Sequence, residues 1–323
     1  MTGAPAEPMR AIVLERNKLV GRRLVRYFLS AGVEAVVVED PAQIPVALAD
    51  PAVSLVCADG FDGDAVREAC RARPGIRGVL WTAEPVRRSL RHLAECAGIN
   101  HVLGRKDFES APRPWEMMMV LRRALDPAAG PPPISAYLDW GHTGFEELVG
   151  STAHRDAVVQ RVQDFVLGLQ VPKRLGEMMS ELAHELLMNA MYDAPVDVNG
   201  APKYAIDRKA DITLAADEHA LLRLATDGTR VILQVRDRFG GLQRRHVVDG
   251  LARGLAGGEM DQSHGGAGLG MAVCHHNALA MFFDVARGRH TEVTAMIELD
   301  LNLREVRTLA RSLHLFDAVA GPQ

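Results

Sequence analysis

Glu181, Glu185 and Asn189 recur at four-residue intervals, which lines them along one edge of a single helix. An acid and an amide one turn apart suit metal and phosphate chemistry. The Asn189 oxygen can ligate Mg²⁺, a hard ion that takes oxygen ligands while keeping waters and phosphate oxygens. Glu185 can orient or deprotonate an attacking nucleophile. The same spacing also occurs on ordinary solvated helix edges. Further on, Asp237-Arg-Phe-Gly-Gly241 places a carboxylate at the end of an apolar run. Such a carboxylate can accept the exocyclic amino proton of adenine, whereas guanine presents a carbonyl there and is repelled; Asp-x-x-Gly-Gly is equally a good turn. Third comes Gly265-Gly-Ala-Gly-Leu-Gly270, leading into an apolar run from Met271 to Ala280. Glycines let backbone amides approach phosphates, and a following helix start adds partial positive charge. With no strand directly before it, this is not a Rossmann fingerprint.

The elements that must carry these residues are legible around them. Met178, Met179, Leu182, Ala183, Leu186, Leu187, Ala190 and Met191 recur at three- and four-residue spacing and form the buried face of a helix over 177–192. Another helix is expected over 155–168. Strands are expected at 220–225, 230–236, 281–286 and 292–299, where Val231, Leu233 and Val235, then Val293, Ala295, Ile297 and Leu299, alternate. Clustered helices with a mostly antiparallel sheet predict an α+β two-layer arrangement.

Before Asp126-Pro-Ala-Ala-Gly-Pro-Pro-Pro-Ile-Ser135 the pattern is different. Three consecutive prolines cannot continue a helix and mark a linker. Upstream of it, apolar runs at 11–14, 35–38, 53–57, 78–81 and 101–103 alternate with helical text, the last helix covering 115–125. Buried strands separated by helices predict a parallel, doubly wound α/β domain of flavodoxin-like type. The predicted organisation is therefore a domain over 9–125, a linker over 126–135, a second domain over 136–305 and a tail over 306–323.

The 323 residues exceed what one core usually serves. A formal net charge of −4 gives no electrostatic reason to expect a nucleic-acid partner. Cys57, Cys70, Cys96 and Cys274 show no CxxC spacing, which argues against zinc and disulfide frameworks and fits a reducing cytoplasm. No signal peptide or membrane-spanning stretch is expected.

The order of helix, strand-end aspartate, glycine-rich loop and closing hairpin with Thr291 resembles the N-box, G1, G2 and adenine-side threonine of the GHKL (Bergerat) ATPase and kinase superfamily. The resemblance covers about 150 residues and implies ATP and Mg²⁺ as cofactors. It gives Mg²⁺ binding to Asn189, adenine recognition to Asp237 with Gly241 and Thr291, phosphate binding to Gly266, Gly268 and Gly270, and the catalytic position to Glu185. The stretch 249–264 would be the lid over the nucleotide. Phe239 stands where the usual Asp-x-Gly-x-Gly has its first glycine, and a polar insert over 195–211 separates Asn189 from the G1 strand.

His184-Glu185-Leu186 looks like a histidine-kinase acceptor box, but the chain has no room for a hairpin partner and a separate N-box before Asp237. His184 is thus read as a helix-surface residue, with an atypical histidine kinase as the lesser alternative. The single helix before the N-box is similar in layout to the anti-sigma-factor serine kinases. That implies phosphorylation of, or ATP-gated binding to, a signalling partner such as a kinase, a sigma factor or an anti-anti-sigma-like factor.

The first domain resembles a response-regulator receiver. The resemblance implies Asp59 as phosphoacceptor, Glu15 as metal-binding acid, Thr82 as phosphoryl-bonding hydroxyl and Lys106, beside Arg105, as counter-cation. Arg16 replaces one metal-binding acid, and Asp62 competes with Asp59. A pseudo-receiver used for docking or homodimerisation is the favoured reading. A non-catalytic, nucleotide-gated scaffold is the alternative to an active kinase.

Overall fold

The computed structural model describes residues 9–127, 130–255, 267–301 and 303–317, without the side chains of 267–269, 303, 306 and 307. The chain divides into two compact units, Met1–Pro127 with Leu309–His314, and Ala128–Thr308 with Leu315–Gln323.

In the first unit, strands β1 (Arg10–Leu14), β2 (Glu34–Val38), β3 (Val53–Asp59), β4 (Arg77–Thr82) and β5 (Ile99–Gly104) alternate with helices α1 (Lys18–Ala31), α2 (Ile44–Ala47), α3 (Gly63–Ala72), α4 (Arg87–Glu95) and α5 (Pro114–Leu125). The strands are parallel in the order β2-β1-β3-β4-β5, which is the flavodoxin-like order. Helix α1 shows how the sequence sets an element. The Asn17 side chain caps it by accepting from the Leu19 and Val20 amides, Val20, Leu24 and Phe28 bury one face, and Gly32 at φ 86° ends it. Ile12, Val13, Val56, Leu80 and Trp81 are fully or almost fully buried, each such side chain contributing roughly 1.5–3 kcal/mol. The loops following β1, β3, β4 and β5 gather at the carboxyl edge of the sheet, where this topology places its site.

The second unit contains β6 (Thr143–Val149), α6 (Thr152–Gly168), α7 (Lys173–Met188), β7 (Ala220–Thr226), β8 (Arg230–Arg236), α8 (Arg244–Leu255), α9 (Ala267–Asn277), β9 (Ala280–Ala286), β10 (His290–Glu298) and α10 (Leu303–Thr308). Its strands run antiparallel in the order β9-β10-β8-β7-β6. Helix α7 rests on β8 and packs against α6 and α9, burying the methionine and leucine face seen in the sequence. Two elements differ from expectation. Strand β6 forms an edge where no strand was predicted, because Glu146 and Glu147 interrupt its apolar text. Helix α8 occupies part of the stretch expected to be a lid, since Val247, Val248 and Leu251 supply a buried helical face.

The expected tail over 306–323 is also corrected. Its strand β11 (Ser312–Asp317) pairs Leu313 and His314 antiparallel with Val102 and His101 of β5, within the first unit. Alternating Leu313 and Leu315 are both buried. His314 Nε2 lies 2.7 Å from Glu116 Oε1, with neither side chain accessible to solvent. Arg113 donates to Glu116 at 3.0 Å, and the Gly104 amide donates to the Ser312 hydroxyl at 2.7 Å. Burial pushes the Glu116 carboxyl up, but His314, Arg113 and Ser312 outweigh it and hold the group below its usual range.

Among the described residues no helix is long and apolar enough to cross a membrane.

Candidate functional site

In the second unit, β8 delivers Asp237 to a buried position beside the start of β10. Asp237 Oδ1 accepts three backbone amides, from Phe239 at 2.7 Å, Gly240 at 3.0 Å and Thr291 at 3.1 Å. The Asp237 amide in turn donates to the Thr291 carbonyl at 2.9 Å. All three donors go to Oδ1, and Oδ2 takes no hydrogen bond among the described residues. The Thr291 hydroxyl is buried and likewise has no hydrogen-bond partner among them. A buried hydroxyl left unpaired costs about 1–3 kcal/mol, so a polar ligand that engages it recovers that energy.

The turn after Asp237 depends on Gly240. It sits at φ 64°, and a Cβ there would lie 2.2 Å from the Ala286 carbonyl oxygen. Gly241, the glycine expected to matter, has no atom within 4 Å of such a Cβ. The close approach thus falls one residue earlier than the motif suggests.

Glu185 and Asn189 lie one turn apart at the end of α7, where the helix widens. Ala194 donates to the Asn189 carbonyl at 2.9 Å across a five-residue, π-type turn over Asn189–Asp193. The polar insert returns to this turn. Arg208 donates to Asn189 Oδ1 at 3.4 Å and lies 3.4 Å from Asp193 Oδ2. Burial pushes the Asp193 carboxyl up, opposed by Arg208. Neither Asp193 nor Arg208 was singled out in the sequence; a contact from a loop nineteen residues away leaves no periodic trace.

Gly270 of α9 packs on Glu185, where a Cβ would fall 2.1 Å from Oε2. Asn277, two turns on, donates to Glu181 at 2.7 Å. Gly268 lies in α9, while Gly266 and the 256–264 part of the expected lid fall outside the described residues. His184 lines a cleft of about 240 Å³ with Val159, Ser180, Glu181, Glu185 and Val273. Burial and then Arg155 hold its imidazole below its usual pKa.

In the first unit, Glu15, Asp59 and Thr82 stand at the ends of β1, β3 and β4 and are buried. Lys106 is exposed, and the cation facing the acids is Arg105. It donates to Asp59 Oδ2 at 2.6 Å and to Glu15 Oε2 at 3.5 Å, while its backbone amide bonds the Thr82 carbonyl at 2.8 Å. Strand alternation explains the correction: Gly104 and Lys106 share one side of the extended chain and Arg105 the other. Arg16 is turned away to an ion pair with Asp62 at 2.6 Å. The Thr82 hydroxyl accepts from the Glu84 amide at 2.9 Å. Burial pushes the Asp59 carboxyl up, against the Phe61 amide and Arg105. Phe61 and Phe108, with ring centres 5.8 Å apart, flank this pocket, and the Arg105 guanidinium lies 5.3 Å from the Phe108 ring centre.

Among the described residues no group of three or more His, Cys, Asp or Glu side chains is placed to hold a metal ion. The two acids of the first unit share an arginine.

No protein-family model matches the chain, and no curated protein does. Among solved structures, the chain is similar to the signal receiver domain of an HD domain-containing protein from Pseudomonas fluorescens Pf-5. The identity is 15 %, over 39 % of this chain and 92 % of that one, with a TM-score of 0.34. It is also similar to a response regulator receiver domain protein from Clostridium thermocellum, at 14 % identity over 36 % of this chain and 94 % of that one, with a TM-score of 0.32. The strand order of the first unit gives its flavodoxin-like fold independently of these likenesses.

Proposed function

We propose that the second unit is a GHKL-type module that binds ATP with Mg²⁺, and that the protein is a signalling protein whose nucleotide state acts on a partner protein. The observation that carries the reading is the Asp237–Thr291 pair. A carboxylate fixed through one oxygen by three amides, with its second oxygen open beside an unpaired buried hydroxyl, suits an adenine amino group and its ring nitrogens. The order of α7, the β8 end and α9 supports the same reading.

Bound ATP would supply a transferable γ-phosphoryl group, and such transfer relies mainly on positioning and metal electrostatics. Asn189 would give an oxygen to Mg²⁺. Glu185, a turn earlier, would accept the proton of an incoming serine hydroxyl. Asp237 would set the register of the base, and its amide cradle keeps the carboxylate from moving toward the ligand. The receiver-like unit, with Arg105 on both of its acids, would serve as a docking or dimerising element and not as a phosphoacceptor.

Titration calorimetry with Mg²⁺-ATP tests the site. Wild type should bind ATP but not GTP, and Asn189→Ala and Asp237→Asn should each remove the heat of binding. A wild type that gives no heat, or an Asp237→Asn variant that binds as before, would end the nucleotide reading.

Arg208 favours a second reading. It already occupies the Asn189 oxygen that Mg²⁺ would need. On that reading the nucleotide is bound without being turned over, and the protein is a nucleotide-gated scaffold. Incubation with γ-labelled ATP and a partner separates the two, since only the kinase transfers label.

A further inference from the structure

The second unit carries another cleft, of about 500 Å³, lined by Asp217, His219, Leu221, Arg236, Arg238, Arg289 and His290. Arg236 stands across from Leu221 of β7 and from Glu292 of β10. Arg236 ends β8 and Arg238 lies in the bend after it, and neither Asp237 nor Thr291 lines the cleft. The cleft is therefore separate from the Asp237–Thr291 pair.

Its charge is uncompensated. Arg10, Arg67, Arg105, Arg223 and Arg230 each have a carboxylate partner. Among the described residues Arg236, Arg238 and Arg289 have no ion pair and no side-chain hydrogen bond, and the one carboxylate lining the cleft, Asp217, is exposed. Glu292, the nearest acid in register, pairs with Arg223 at 3.6 Å. Burial, then Arg236 and Arg289, hold the neighbouring His290 imidazole below its usual pKa, against a smaller opposing pull from Asp237. Arg236 is half-buried and Arg238 and Arg289 are exposed, and an anion held among the three would meet their combined positive charge.

We propose that this cleft is a binding site for a compact phosphate-bearing anion, gripped by Arg236, Arg238 and Arg289. Guanidinium forks match phosphate oxygens in bidentate fashion. Among the described residues Leu221 is the one aliphatic side chain lining the cleft, so its lining is mostly charged and polar. The formal net charge of −4 gives no electrostatic reason to expect a nucleic-acid backbone here. The phosphate can come from a small diphosphate or from a phosphorylated side chain on a partner protein.

Inorganic pyrophosphate, titrated into the full-length protein by calorimetry without Mg²⁺, is the first probe. Binding to wild type should weaken by roughly tenfold in Arg289→Ala and vanish in Arg236→Ala/Arg289→Ala, while Asp237→Asn binds as wild type does. Arg236→Gln and Arg289→Lys serve as milder variants, and far-UV circular dichroism checks that each is folded. A phosphoserine peptide competing with pyrophosphate, where the unphosphorylated peptide does not, would identify a protein partner as the source. A peptide that fails to compete would identify a small diphosphate. No heat with wild type at about 5 mM pyrophosphate, equal binding by the double arginine variant, or loss of binding in Asp237→Asn would each overturn the assignment.

Discussion

The two units hold their key aspartates in opposite ways. Asp59 of the first unit is neutralised by a side chain, Arg105, which also reaches Glu15. Asp237 of the second unit is held by three backbone amides and has no ion pair among the described residues. A guanidinium brings a carboxylate both an opposite charge and a hydrogen-bond donor, so Asp59 meets its counter-charge inside the unit. Amides on one oxygen fix a carboxylate in place and leave the other oxygen available. The same residue type is thus a finished ion pair in one unit and an open acceptor in the other.

The strongest challenge to that contrast is Arg105→Ala. Removing one member of a buried pair should destabilise the first unit by about 3–5 kcal/mol, because Glu15 and Asp59 remain buried without a counter-charge. Urea unfolding measures the loss. Its pH dependence follows from the raised Asp59 carboxyl: a group raised in the folded state contributes stability below its unfolded pKa and loses it as pH rises through its folded pKa. The deficit of the variant should therefore shrink as pH falls from neutral and Asp59 takes up a proton. Mg²⁺ should restore part of it in the variant and none in wild type. A deficit independent of pH would show that the acids are not the cause.

Gly240→Ala should follow at about 3 kcal/mol, since both its positive φ and the Ala286 carbonyl oppose a Cβ. Gly241→Ala should change thermal stability little; a reversed ranking of the two would show that the motif glycine, not its neighbour, holds the Asp237 turn. Thr291→Val should stabilise the ligand-free protein by roughly 1 kcal/mol while weakening ATP binding, the pattern of a hydroxyl kept for a ligand. Lost stability in this variant would mean that the hydroxyl has a structural partner. Smallest of all, Lys106→Ala should fall within about 0.5 kcal/mol of wild type, as exposed positions do. A larger loss would return the counter-cation role to Lys106.

Much of the fold was legible because it rests on local periodicity. The β-branched runs of β1, β3 and β4 and the methionine and leucine stripe of α7 announce themselves within a few residues of sequence. What was not legible depends on partners far along the chain. Arg208 meets Asn189 through a loop without regular structure, and β11 pairs with β5 across two hundred residues of sequence. The position of Arg105 turned on strand parity, which a two-residue basic run leaves open. The offset from Gly241 to Gly240 turned on a backbone carbonyl supplied by β9, which no motif spacing encodes. The basic cleft escaped for the same reason: Arg236 and Arg238 read as strand-end charges until β10 and its turn bring Arg289 and His290 beside them.

The late pairing of β11 has a consequence for synthesis. At about 5–20 residues per second, residue 314 follows residue 127 by roughly 10–40 s on the ribosome. During that interval β5 is an uncovered edge, a template for strand pairing with other chains, and Glu116 lacks His314. The nascent first unit thus keeps an open pairing edge until Ser312–Asp317 has been made. A fragment ending at Pro127 would carry that vulnerable state indefinitely.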